Sequence, residues 1–319
     1  MKYMTLESLK KALQRIVSSA AFHRGYQLAD LNTADMTGHD ENGHAIPVMN
    51  LGLEIMAQIE ALYPGTFTAL ELEFGAPLAL ISHDLGRSRQ RVRINGKLVD
   101  RHEVDGAQMI NEMMIAEDIP ARYRSLVTYP VVNHRANGVL KRNALDMPNR
   151  VVNEELLAHL IMCRRILAIL VLADKCIGDA GRVRWNKAIQ LLVLRFLGIS
   201  RHWFERFANE DQRNNFANFA IRHTEVVIDQ GDSSSSTDKG SLVLSIQIDE
   251  RVCSMTQILS VEWFRDAFHC CGKAAQALGF SFRIRTTSVN RGNNYEELWF
   301  WSKEVRGWSK RVPIAVPRH

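Results

Sequence analysis

The chain has 319 residues, 46% hydrophobic and 24% charged, with 40 Lys and Arg against 35 Asp and Glu for a net charge of +5. This balance excludes wholesale disorder, a collagen-like repeat and a disulfide-dense miniature fold; a chain this long buries a core that needs no staples. The mild basic bias suits phosphate-bearing ligands without amounting to a nucleic-acid signature.

Residues 2–22 carry Leu6, Leu9, Leu13, Ile16 and Val17 at helical spacing, so an amphipathic helix is expected there. Residues 32–43 are polar and loop-like. Val48, Leu51, Ile55, Ile59 and Leu62 step by three and four, predicting a helix over 47–62 that Pro64 and Gly65 end. A second helix, apolar on nearly all sides and therefore buried, is expected over 70–85, with Pro77 as its start or its kink. Residues 88–99 are polar and contain Asn95-Gly96, a turn or short hairpin. Helices follow over 100–115, 120–132, 154–176 and 184–197, and helix dominates to about residue 226. The run Gly231-Asp232-Ser233-Ser234-Ser235-Ser236-Thr237 reads as a flexible linker. Beyond it, residues 242–248 alternate as a strand, 261–278 form a helix ending at Gly279, and 280–286 and 298–301 are two further strands. No internal repeat is visible. The expected fold is mainly α: an all-helical body over 1–230, a Ser-rich linker over 231–239 and a small α+β module over 240–319.

Cys163, Cys176, Cys253, Cys270 and Cys271 contain no C-x-x-C pair. A disulfide framework and a thiolate zinc site are therefore not expected, and a reducing cytoplasm is the default location. The first residues hold no signal-peptide run. The most apolar stretches, 156–172 and 188–199, are interrupted by Arg164 and Arg165 and by Arg195, so no membrane span and no membrane partner are expected.

Chemistry concentrates in the first half. His83-Asp84 ends the buried helix in the phrase LISHDLGR, and the simplest reading is a helix-end His with an Asp capping the next turn. His44 opens the preceding helix, His102 the following one in HEVDGAQMI, and His134 closes the next segment in VVNHRANG. Asp174 sits in the apolar phrase ILVLADKC, where an ionised carboxylate needs an ion pair with Arg164, Arg165 or Lys175, or a metal, or a shifted pKa. His39 competes with His44 for the first position, and His44 has the helix-start context.

The ordered set His44, His83-Asp84, His102, His134, Asp174 resembles the HD-domain superfamily of metal-dependent phosphohydrolases over roughly residues 40–180, in the order H…HD…H…H…D. The resemblance implies an HD-type helical bundle. It implies that His44, His83, Asp84 and Asp174 hold an inner metal, with Asp84 able to bridge, and that His102 and His134 serve a second metal or contact phosphate. Imidazole with carboxylate suits one or two divalent ions among Mn, Fe, Co, Ni, Zn and Mg. Such ions clamp a phosphoryl group and activate a water for in-line attack. Asp84 and Arg87 are the expected catalytic residues. Arg87, Arg101, Arg135 and Lys175 are the expected substrate-binding cations, for a small phosphate such as a nucleotide.

The chain departs from the family pattern in three places. Arg87 stands where the family usually has Lys, which keeps the cation but changes its reach. Asn133-His134 stands where some relatives have two histidines. The GYP extension of the cyclic-dinucleotide enzymes is absent from residues 134–138. Arg87, Arg89, Arg91 and Arg93 form a solvated strand face or a phosphate-steering rim, which Arg101, Arg135, Lys141 and Arg142 could join. His23, His159, His202, His223 and His269 read as structural.

In the C-terminal module, Trp263, Phe264, Phe268, Phe280, Phe282, Trp299, Phe300 and Trp301 read as core, with an oligomerisation or regulatory role for the module. Two other readings stand beside the hydrolase. One is a non-catalytic HD-type sensor or scaffold. The other is a nucleic-acid phosphodiesterase whose C-terminal aromatics and basic tail (Arg306, Lys310, Arg311, Arg318) bind a single strand.

Overall fold

The structure is a computed structural model that describes residues 3–32, 40–89, 92–94, 97–148, 153–177, 183, 185–230, 239–290, 296–302 and 307–311. The fold is mainly α with one five-stranded mixed sheet toward the C-terminus. The chain divides into two compact units, residues 1–174 and 175–319.

In the first unit, α1 (Leu6–Val17) is capped by Thr5, whose side chain accepts from the Ser8 amide. The helix expected over 2–22 is two helices. Ser18 ends α1 by bonding back to Gln14, and the Ser19 hydroxyl accepts from the Phe22 amide to open α2 (Ala20–Asn32). Short hydroxyl side chains compete with the helical ladder for backbone groups, so a Ser pair breaks a periodic pattern. Asp40 caps a π-helical turn, Glu41–Ala45, which runs into α3 (Ile46–Leu62). The residues expected as loop before Gly43 include 33–39, which lie outside the described residues.

A second π-helical turn, Glu71–Gly75, leads into α4 (Ala76–Ser82). Pro77 stands in the first turn of α4, where its missing amide costs nothing, so it starts the helix rather than kinking it. Strands β1 (Val92–Ile94) and β2 (Lys97–Val99) pair antiparallel; the Asn95-Gly96 turn between them lies outside the described residues. Helices α5 (His102–Ala116), α6 (Ala121–Asn133) and α7 (Glu154–Cys176) complete the unit, α7 running across the division after Asp174. Its core includes Phe22, Tyr26, Ile55, Met56, Phe74, Leu78, Leu80, Leu126 and the run Ile166–Ala173, all buried.

The second unit contains α8 (Trp185–Phe196), α9 (Ser200–Arg206) and α10 (Glu210–Ala220). Strands β3 (Ile221–Asp229) and β4 (Ser241–Ile248) follow, then α11 (Met255–Ser260) and α12 (Glu262–Ala277). Strands β5 (Ser281–Ser288), β6 (Glu296–Ser302) and β7 (Gly307–Arg311) complete it. The sheet order is β3-β4-β5-β6-β7, with β4 and β5 parallel and the other pairs antiparallel. The crossover through α11 and α12 is what a parallel pair requires.

Helix was expected to dominate to about residue 226, and it ends at Ala220. Residues 221–229 form β3, whose β-branched Ile221, Thr224, Val226, Val227 and Ile228 pair with β4. The serine run therefore separates two neighbouring strands, and its residues 231–238 lie outside the described residues. The compact units divide at 174/175, upstream of the linker expected at 231–239, because β3 and the helices before it share the core of the C-terminal sheet.

Two helical stretches, Glu41–Leu62 and Glu154–Cys176, are long and apolar enough to cross a membrane by length and composition. In α7 this apolarity has a local cause: the run Ile166–Ala173 lies wholly inside the first unit. All five cysteines are buried thiols outside any disulfide.

Candidate metal centre

Six side chains from five segments converge in the first unit. His44 comes from the π-helical turn before α3, and His83 and Asp84 from the end of α4. His102 is the first residue of α5, His134 closes α6, and Asp174 lies near the end of α7. All six are buried. His44 Nε2 lies 3.2 Å from Asp174 Oδ1 and 3.6 Å from Asp84 Oδ2. His83 Nε2 lies 3.6 Å from Asp174 Oδ1, 3.8 Å from Asp84 Oδ2 and 3.3 Å from His44 Nε2. On the other carboxylate oxygen, His102 Nε2 is 3.3 Å and His134 Nε2 3.9 Å from Asp84 Oδ1. Two sets with metal-ligand spacing result, His44-His83-Asp84 and Asp84-His102-His134, and they share Asp84.

Three of the histidines are oriented from behind. His83 Nδ1 donates to the Leu80 carbonyl at 2.8 Å and His134 Nδ1 to the Val131 carbonyl at 2.6 Å. His102 Nδ1 donates to Asp100 Oδ1 at 2.8 Å. Carbonyls and carboxylates only accept, so a ring proton sits on each Nδ1, and each Nε2 faces inward toward carboxylate oxygens; on a neutral ring that nitrogen is a bare lone pair. Lone pair opposite lone pair is unfavourable unless a cation lies between them. His102 Nε2 shows this directly: it is buried and has no hydrogen-bond partner. Partners on the outward ring nitrogen are the arrangement that holds metal-binding histidines in their tautomer. The residues present therefore fit a divalent ion.

The charges are unevenly balanced. Burial pushes the His83 imidazolium down, yet Asp84 and Asp174 outweigh it and hold its pKa raised. Burial and the Arg87 cation push His102 down, toward the neutral ring that ligation needs. Burial alone would raise Asp100, but its bonds to His102 and the nearby Arg135 and Arg87 hold it well below the usual carboxylate range.

Local backbone geometry positions these groups. Gly86 sits where a Cβ would overlap the His102 carbonyl and the Gly106 amide, so only glycine lets the turn after Asp84 rest on the start of α5. Behind it, the buried Tyr26 hydroxyl donates to the Ile81 carbonyl and ties α2 to the end of α4.

Not every expected cation joins the centre. Arg87 Nε donates to Asp84 Oδ2 at 2.7 Å. Arg135 is held by Glu103 Oε2 at 3.1 Å and the Asp100 carbonyl at 3.3 Å. Arg101 is exposed at the start of α5. Lys175 belongs to the second unit, with its ammonium 5.9 Å over the Trp263 ring. Arg165 is not the partner of Asp174; it forks onto the buried Glu71 at 2.8 and 2.6 Å. Arg89 lies 3.7 Å from Asp105, and Arg142 bonds the Val132 carbonyl. His39, Arg91 and the side chain of Arg93 lie outside the described residues.

Sequence reasoning missed Asp100 and Glu103. The signal for Asp100 was present: an Asp two residues before a helix-opening His accepts from both the His102 amide and its ring. Compared with known families, curated proteins and solved structures, the chain finds no match.

Proposed function

We propose that the chain is a metal-dependent phosphohydrolase of HD type, cleaving a phosphomonoester or phosphodiester bond in a nucleotide or related small phosphate. The observation that carries this reading is the division of Asp84: each carboxylate oxygen faces its own pair of histidines. Asp174 adds a second acid on the His44 and His83 side. That donor set, imidazole-rich with carboxylates, suits divalent transition metals or Mg. Ions held there supply Lewis-acid stabilisation of phosphoryl oxygens and acidify water.

The protein's own residues do the rest. Asp100 and the Leu80 and Val131 carbonyls hold the three rings with Nε2 inward. Arg87 keeps a permanent cation against Asp84, and its terminal nitrogens make no hydrogen bond among the described residues. They are therefore free to fork onto a phosphate. Arg101, exposed at the start of α5, is the second cation for an anionic substrate.

The second reading is a non-catalytic HD-type sensor or scaffold. It is favoured by the same Arg87–Asp84 bond, which supplies positive charge at the oxygen an ion would use. Elemental analysis followed by a nitrophenyl and nucleotide screen separates the two. The hydrolase reading expects one or two equivalents of metal and turnover abolished by a chelator. It also expects His83→Ala or Asp84→Ala to lose metal and turnover together at unchanged helix content. Full activity in either variant overturns it. Failure to bind Mn or Fe on addition moves the assignment to the scaffold.

A further inference from the structure

The second unit presents an apolar ridge that its own core does not use. Helix α8 buries Ala188 and Leu191, and α9 buries Ser200 and Phe204. Ile189, Leu192, Val193 and Phe196 on α8, Trp203 on α9, and Leu197, Ile199 and Phe207 at the ends of the two helices are exposed. The most exposed are Phe196 at 89%, Phe207 at 60% and Leu197 at 59%. Half of the exposed large hydrophobic residues of the described chain fall in this one stretch. Scattered exposure is ordinary, whereas a contiguous patch marks a contact surface.

The tip of the ridge is a built turn. Gly198 has φ +70, and the amides of Leu197, Gly198 and Ile199 bond back to Val193, Arg195 and Leu194. The Trp203 and Phe207 rings pack 5.2 Å apart beside it.

Charge selects the partner. Residues 187–207 contain four basic side chains, Lys187, Arg195, Arg201 and Arg206, against one acidic, Glu205. Arg195 is committed to Asp249 at 2.6 Å, whereas Glu205 accepts from the neutral Gln257 amide at 2.9 Å and keeps its charge, leaving the stretch with a cationic excess. Arg201 and Arg206 are exposed, flank the aromatic residues and make no ion pair among the described residues. Exposed aromatic and aliphatic side chains beside Arg201 and Arg206 match the interface of an anionic lipid surface, where apolar side chains enter and cations meet the headgroups. At 12 residues, or about 18 Å, α8 is too short to span a bilayer, so the contact is peripheral.

We infer that the α8–α9 turn docks the protein onto an anionic membrane surface, with Phe196 and Leu197 inserted and Arg201 and Arg206 on the headgroups. The test is co-sedimentation of the whole chain with vesicles of phosphatidylcholine alone or mixed with phosphatidylglycerol, at low and high salt. Wild type should pellet with the mixed vesicles, less so at high salt. Phe196→Ser with Leu197→Ser should lower partitioning about tenfold, since each buried apolar side chain contributes independently of charge. Arg201→Gln with Arg206→Gln should remove the preference for anionic lipid. Helix content and metal content should stay at wild-type values in both. Absence of wild-type binding, or equal binding by wild type and the Phe196/Leu197 variant, overturns the inference. So does a wild-type dimer in light scattering that the Phe196/Leu197 variant converts to monomer, because a second copy would then cover the ridge.

Discussion

Asp100 shows how a residue outside the candidate ligand cluster orients it. Its carboxylate fixes which nitrogen of His102 carries the proton, leaving Nε2 bare toward Asp84. Removing such an outer partner costs about tenfold to a hundredfold in metal affinity. Asp100→Ala should therefore weaken binding by that factor in a competition titration, with secondary structure unchanged, and Asp100→Asn should recover part of it by accepting through its amide oxygen. Affinity equal to wild type in Asp100→Ala would mean that His102 takes no ion. Glu71 and Arg165 make the contrasting case of a buried charge with a purely structural partner. The fork explains why Arg165 leaves Asp174 to the histidines.

At the scale of elements, the site depends on one close approach. The turn Leu85–Ser88 must rest on the first turn of α5 for Asp84 to meet His102. Gly86 permits this because a side chain there would strike backbone rather than a movable side chain. Backbone cannot yield by changing rotamer, so overpacking at this point costs about 2 kcal/mol or more. Gly86→Ala should lower unfolding free energy by that amount in urea. It should also reduce metal stoichiometry, because His102 and His134 are displaced from Asp84 together. A variant that loses stability while keeping wild-type metal content would separate the turn from the site.

At the scale of the whole molecule, each unit carries its own charge centre. In the second unit, buried Asp249 receives Arg195 at 2.6 Å, Arg222 at 3.2 Å and Asn290 at 2.7 Å. Burial works to raise its pKa, but these donors prevail and bring it down to about 2. An unfolded aspartate titrates near 3.9, so the folded state favours the ionised form by about 2.6 kcal/mol, most of it lost between about pH 4 and 2. Because the folded pKa is depressed, this stability is present above about pH 4 and disappears as the pH falls toward 2. Wild type should therefore lose about 2 kcal/mol more than Asp249→Asn between those limits, read by denaturant unfolding at several pH values. Parallel pH dependences in the two proteins would remove Asp249 from the acid response.

Much of this architecture was legible along the chain. Helices α3, α8 and α12 and strands β5 and β6 follow from apolar periodicity, because their buried faces repeat at local spacing, and α7 and β4 from continuous apolar runs. The cluster of histidines and acids was legible too: such residues in apolar phrases are costly and need a reason. Features that depend on groups distant in sequence or on a local break were not legible. The Ser18-Ser19 break, the strand character of 221–229 and the division at 174/175 follow from which segments share a core. The capture of Arg165 by Glu71 and the hold of Asp100 on the His102 ring likewise required the folded chain. Sequence spacing reports on the face a residue occupies within its own element, whereas ligand geometry and ion pairing are set by distances between elements, which only tertiary packing determines.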